Sequence, residues 1–178
     1  MFASPRVRLH RLMSMRPAVR GLWRGARSSA SLRVMWADTL LSLERGHLIR
    51  LALWAGACVL SGTSLLAWLM VRRATAPLLR HFAMQTAAWG AVNLAIVAWA
   101  WRGLAFRDFA GTQRLLNVLW LNTGLDVGYA AVGVTLALTA WRWGQRPGGI
   151  GAGLGVVVQG VALALLDLRL ILAIGPLQ

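Results

Sequence analysis

Four apolar runs divide the second part of the chain, and each has the length a bilayer demands. A membrane-spanning helix needs about 20 mostly apolar residues. Residues 51–71, 82–101, 118–140 and 150–174 meet that requirement. The amide and charged interruptions are few: Gln85 and Asn93 in the second run, Asn122 and Asp126 in the third, Gln159 in the fourth and Asp167 and Arg169 near its end. Charges and turn residues collect between the runs. Arg72 and Arg73 close the first run, and Arg80 and His81 open the second, with Pro77 between them. Arg102 closes the second run, and Arg142, Arg146 and Pro147-Gly148-Gly149 separate the third from the fourth. The pattern predicts an all-α polytopic membrane protein, an antiparallel four-helix transmembrane bundle over residues 48–178.

Residues 1–47 have a different pattern and are expected to form a basic amphipathic segment at the cytoplasmic interface. Arg16, Arg20, Arg24 and Arg27 cluster on one side of a helix, with Val19, Leu22, Trp23 and Ala26 on another. Leu32, Met35, Trp36, Leu40 and Leu43 form a second apolar stripe at helical spacing. Basic amphipathic helices of this kind lie in the surface of an anionic leaflet, which makes the four arginines candidate membrane-surface contacts. Two other readings stay open. The early tail is arginine- and serine-rich like a mitochondrial presequence, and translation starting at Met13, Met15 or Met35 would remove part or all of it.

Composition agrees with the apolar pattern. The 178 residues are 58% hydrophobic and 13% charged, against about half and a quarter in soluble domains. An ordinary soluble domain and a disordered chain are both excluded. The net charge of +14 comes entirely from arginine. Such a balance suggests nucleic acid at first, but beside four apolar runs a membrane surface is the better partner. Ten of the arginines lie in residues 1–50, which puts both termini inside by the positive-inside rule. Counting only the loops and near flanks gives six inside against five outside, so the tail carries most of that orientation. The expected location is a bacterial inner membrane. Trp68, Trp141 and Trp143 would anchor one interface, and Trp99, Trp101 and Trp120 the other.

Ionisable groups inside a membrane are costly and mark functional sites by default. Converted at about 1.5 Å per residue, Asp126 and Asn93 both lie about 12 Å from the inner boundary. Asn122, Asp126, Tyr129 and Gly133 share one helical face. The expectation is a polar cluster of Asn93, Asn122, Asp126 and Tyr129, with Asp126 neutralised by Arg169 and Asp167 paired with Arg102 or Arg114. Packing is the competing role, because polar side chains also join transmembrane helices at about 0.6 kcal/mol each. Gly124, Gly128 and Gly133 in the third run, and Gly151 and Gly155 in the fourth, are candidate helix-packing positions, serving tight internal packing or a partner interface.

Little else carries chemistry. No His-Glu-x-x-His, paired cysteines or Gly-x-Ser-x-Gly occurs, and five acids leave little acid–base capacity. His47 and His81 fall at opposite ends of the spans, about 30 Å apart, too far for a shared haem. His81 alone is the one candidate pigment ligand. No cofactor is predicted, although pigment or lipid contacts have room.

The stretch from residue 43 onwards resembles an uncharacterised family of small bacterial four-span membrane proteins. The resemblance rests on SLERGHLIR, RHFAMQTAAWGAVN and NTGLDVGYAAVG. It implies no activity, but it directs attention to Arg80, His81, Gln85, Trp89, Asn93, Asn122, Asp126 and Tyr129. The expected function is non-catalytic: an accessory or assembly subunit packed against other integral membrane proteins of a larger complex, with bioenergetic complexes as natural hosts. The alternative is a small oligomeric transporter or channel with Asp126 in its pathway. An intramembrane enzyme or pigment binder ranks third. Nucleic acid is not an expected partner, and no soluble substrate is identified.

Overall fold

In the computed structural model the four apolar runs form four helices: α1 (Arg16–Val71), α2 (Pro77–Arg102), α3 (Phe109–Arg142) and α4 (Pro147–Ile174). A 3-10 turn, Gly175–Leu177, follows. The structure describes residues 16–177, with side chains for 35–176, and no strand occurs among the described residues. All four helices are long and apolar enough to cross a membrane. Even the shortest, α2 with 26 residues, extends about 39 Å, beyond the roughly 30 Å of a hydrocarbon core. The chain is an all-α integral membrane protein.

Local chemistry sets the helix starts, and these lie earlier than the apolar runs. Proline suits the first helical position because its missing N–H needs no partner there, and α2 and α4 begin at Pro77 and Pro147. The largest difference concerns α3. Residues 102–117 lie between the second and third apolar runs, yet α3 begins at Phe109. Asp108 explains the shift by capping the helix. Its Oδ1 accepts from the Gly111 N–H at 2.7 Å, and its carbonyl accepts from the Thr112 hydroxyl at 2.9 Å.

By its contacts the chain divides into two compact units, residues 1–39 and 40–178. Three buried side chains account for it. Leu40 is 1% exposed, Glu44 binds Arg107 of the α2–α3 connection, and His47 binds Asp167 of α4. The unit with the spans therefore needs the turns of α1 that precede its apolar run. The assignment of Arg16, Arg20, Arg24 and Arg27 to the membrane surface falls on side chains outside the described residues.

Within residues 40–178 the helices approach through glycines. A Cβ at Gly62 would lie 2.7 Å from the Ala83 carbonyl, and one at Gly90 would lie 2.8 Å from that of Ala55. These positions pack α1 against α2 in antiparallel sense. Gly133 and Gly153 face each other between α3 and α4, each blocked by the other's carbonyl oxygen. Gly160 meets the Asp126 carbonyl in the same seam. Gly151 and Gly155 face α2, against Leu78 and Gln85. Gln159 and Asp167 face α1. Thus α4 touches all three other helices and forms the centre. Of its most apolar stretch 33% is buried within the chain, against 11% for α3.

Candidate functional site

The expected polar cluster divides into two sites in the structure. The first lies between α2, α3 and α4. Trp89, Asp126, Tyr129, Val156, Gln159, Gly160 and Leu163 line a partly open pocket of about 10 Å³. That is about the space one water molecule requires. Tyr129 meets Trp89 edge-on, with ring centroids 5.4 Å apart and planes at 61°. Asp126 is buried, and its carboxylate takes part in none of the hydrogen bonds or ion pairs found among the described residues. Asn93 is buried as well, with its Nδ2 unpartnered. It belongs to the inward stripe of α2 formed by Ala83, Thr86, Gly90, Asn93 and Val97. Asn122 does not join this group, because it is exposed on α3.

Asp126 and Arg169 do not pair. Gly160 is the α4 residue level with Asp126, and Arg169 lies nine residues further on, about 13 Å along the axis. Asp167 likewise pairs with neither Arg102 nor Arg114. It faces α1, where its Oδ1 lies 3.3 Å from Nε2 of His47, and both side chains are buried.

The sequence reading reaches Asp167 and Arg169 of this second site, at the α1–α4 seam, and misses His47, Arg50, Trp54, Cys58 and Gln159. Its members span it from end to end. Gln159, 2% exposed, accepts at Oε1 from the Trp54 indole N–H at 3.1 Å. Its amide nitrogen donates to the Cys58 sulfur, also at 3.1 Å. Below this bridge come the His47–Asp167 pair and the guanidinium groups of Arg50 and Arg169, which line a groove of about 630 Å³. The available signal is a lone glutamine in the middle of the most apolar run.

At the same end of the molecule the α2–α3 connection is fixed by a two-pronged ion pair. Arg107 Nε donates to Glu44 Oε2 at 3.0 Å and Nη2 to Oε1 at 2.6 Å. The bonds it donates to Glu44 hold the guanidinium charged and raise its pKa above the usual arginine value.

The remaining candidates separate by exposure. Gly133, Gly151 and Gly155 sit in helix contacts, whereas a Cβ at Gly124 or Gly128 would meet nothing within 4 Å. Among the described residues the last two therefore pack against no other helix; they lie on the side of α3 away from α4. Trp68, Trp99, Trp101, Trp120, Trp141 and Trp143 are all exposed. His81 lies in the first turn of α2, its Nδ1 2.8 Å from the Pro77 carbonyl, and a Cβ at Gly148 would sit 2.9 Å from its ring. No group of three or more metal-ligating side chains occurs among the described residues.

Comparison with curated proteins and with solved structures gave no match. A family model does match, over residues 50–168, a stretch that begins at Arg50 of the groove, contains Asp126 and Gln159, and ends beside Asp167. The chain thereby belongs to DUF6992, a family of unknown function.

Proposed function

We infer that the chain is a non-catalytic accessory or assembly subunit that packs through α3 against a larger membrane complex. One observation carries this reading: the outward face of α3 is built for a helix and has none. Gly124, Gly128, Ala131 and Thr135 recur at helical spacing, and all four are exposed. Small residues at such spacing let backbones approach closely, which is how helices associate where lipid removes the hydrophobic drive. Several other span glycines, such as Gly62, Gly90, Gly133 and Gly160, are filled by a neighbouring helix, whereas Gly56 on α1 is open but stands without a second open glycine one turn away. The hydroxyl of Thr135 donates to the Ala131 carbonyl at 2.9 Å, so the face asks for shape rather than polar partners. A bioenergetic complex of a bacterial inner membrane is a natural host, with both termini of the subunit on the cytoplasmic side.

Purification from native membranes in a mild detergent, followed by mass spectrometry and an absorption spectrum, tests this. Stoichiometric co-elution with larger membrane proteins is expected, and replacing Gly124 and Gly128 by leucine should abolish it while the chain still folds. A particle containing this chain alone overturns the reading.

The buried Asp126 beside a water-sized cavity supports a second reading, an oligomeric transporter with that carboxylate in the pathway. Under the subunit reading Asp126→Asn leaves both accumulation and co-elution intact. Under the transporter reading it abolishes flux in a self-contained oligomer.

A further inference from the structure

The groove between α1 and α4 carries a specific ligand chemistry. It is about 630 Å³ in volume and is lined by Arg50, Leu53, Ala57, Ala162, Leu165 and Arg169, with Trp54 and Leu166 completing the wall. A volume of several hundred Å³ is that of a small-molecule site. The lining is divided. Its arginines gather at one end, and the rest is apolar. Arg50 directly precedes the first apolar run, and Arg169 lies five residues, about 8 Å, before the end of α4. Antiparallel packing of the helices, fixed by His47–Asp167 and Trp54–Gln159, brings both charges to one level at the membrane boundary.

Among the described residues neither arginine pairs with a carboxylate. The ion pairs found among the described residues are His47–Asp167 and Glu44–Arg107, so the acids nearest this level are already engaged. Arg50 Nε is buried and makes no hydrogen bond, and its guanidinium folds over Gly46 of its own helix. A buried donor without a partner carries a desolvation cost. Two unpaired cations at a membrane boundary, above an apolar channel open to the side, match one occupant. We propose that the groove binds an anionic phospholipid, its phosphate between Arg50 and Arg169 and an acyl chain along Leu53, Ala57, Ala162 and Leu165. Basic pockets between transmembrane helices take acidic headgroups in this way. The site lies across the bundle's central helix from the free face of α3, so it does not depend on a protein partner there.

The test uses the full chain, stripped of lipid in detergent and titrated with phosphatidylglycerol or phosphatidylcholine under native mass spectrometry. Wild type should retain phosphatidylglycerol preferentially, and inorganic phosphate should not displace it. Replacing Arg50 and Arg169 together by glutamine should weaken phosphatidylglycerol binding about 30-fold, from about 1 kcal/mol per surface arginine. Replacing Arg72 and Arg142, which lie in the connections at the opposite end, should leave binding unchanged. Ala57→Trp keeps both arginines and fills the acyl seat, so it should also release lipid and decides the matter if the arginine variant does not fold. Equal retention of the two lipids, full retention by these variants, or displacement by phosphate overturns the proposal.

Discussion

Single residues in this protein differ sharply in what they contribute. The Gln159 bridge looks important because it is fully buried and joins two partners on α1. Yet a hydrogen bond between transmembrane helices adds only about 0.6 kcal/mol on average. Gln159→Leu should therefore lower stability by about 1 kcal/mol, from two such bonds, and leave the fold intact. Glu44 should matter more. Its carboxylate takes two charge-assisted bonds from Arg107, and hydrogen bonds to charged groups contribute about 1.5–3 kcal/mol. Removing it leaves a half-buried guanidinium unpaired. Thermal unfolding in detergent should rank Glu44→Ala below Gln159→Leu. Neither role was legible from local pattern. Glu44 stands ahead of the apolar run, and Arg107 lies 63 residues away in a loop; only the folded chain brings them together. Asp126 shows the converse. Of the four residues that share its helical spacing, Asp126 and Gly133 are buried while Asn122 and Tyr129 are exposed, and its expected partner lies too far along α4.

At the level of elements, the decisive contacts are those of backbone with backbone. Where a Cβ would stand under 3 Å from a carbonyl oxygen, as at Gly133 and Gly160, no side-chain rotamer relieves the clash and the helices must separate. Gly133→Leu or Gly160→Leu should collapse the amount of folded protein. Gly124→Leu and Gly128→Leu should not, because the added side chain enters open space. Fluorescence-detected size exclusion of the four variants separates these outcomes directly, and equal behaviour of the two pairs would contradict the packing described here. The same contrast shows the limit of the sequence. All of these glycines satisfy a small-residue spacing, and spacing alone does not tell which neighbour a helix face meets. Exposed polar side chains give less trouble than their number suggests. Thr63, Thr123, Thr135 and Thr139 each donate to a carbonyl three or four residues back in their own helix, so the spans carry these hydroxyls without a partner helix.

The whole molecule is organised around its last helix. Because α4 contacts every other helix, the spanning unit is complete only when the chain is synthesised to its end. That unit also reaches further upstream than its apolar runs. A chain beginning at Met35 retains Leu40, Glu44 and His47 and should fold and purify like the full chain. One beginning at Leu48 loses all three and should not. Expression and melting of the two truncations check this. Sequence alone determined that the chain crosses a membrane, how many times, and roughly where, because burial in hydrocarbon requires long apolar runs whatever the tertiary arrangement. It also marked the ends, through proline and charge. What only the tertiary structure decided was which helix is central, which glycines are filled and which stay open, and that His47 holds Asp167 while Arg50 and Arg169 share a groove. The reason is physical: the spans are apolar on all sides, so periodicity carries little information about facing, and helix neighbours are selected by shape and by single polar contacts between residues more than 100 positions apart.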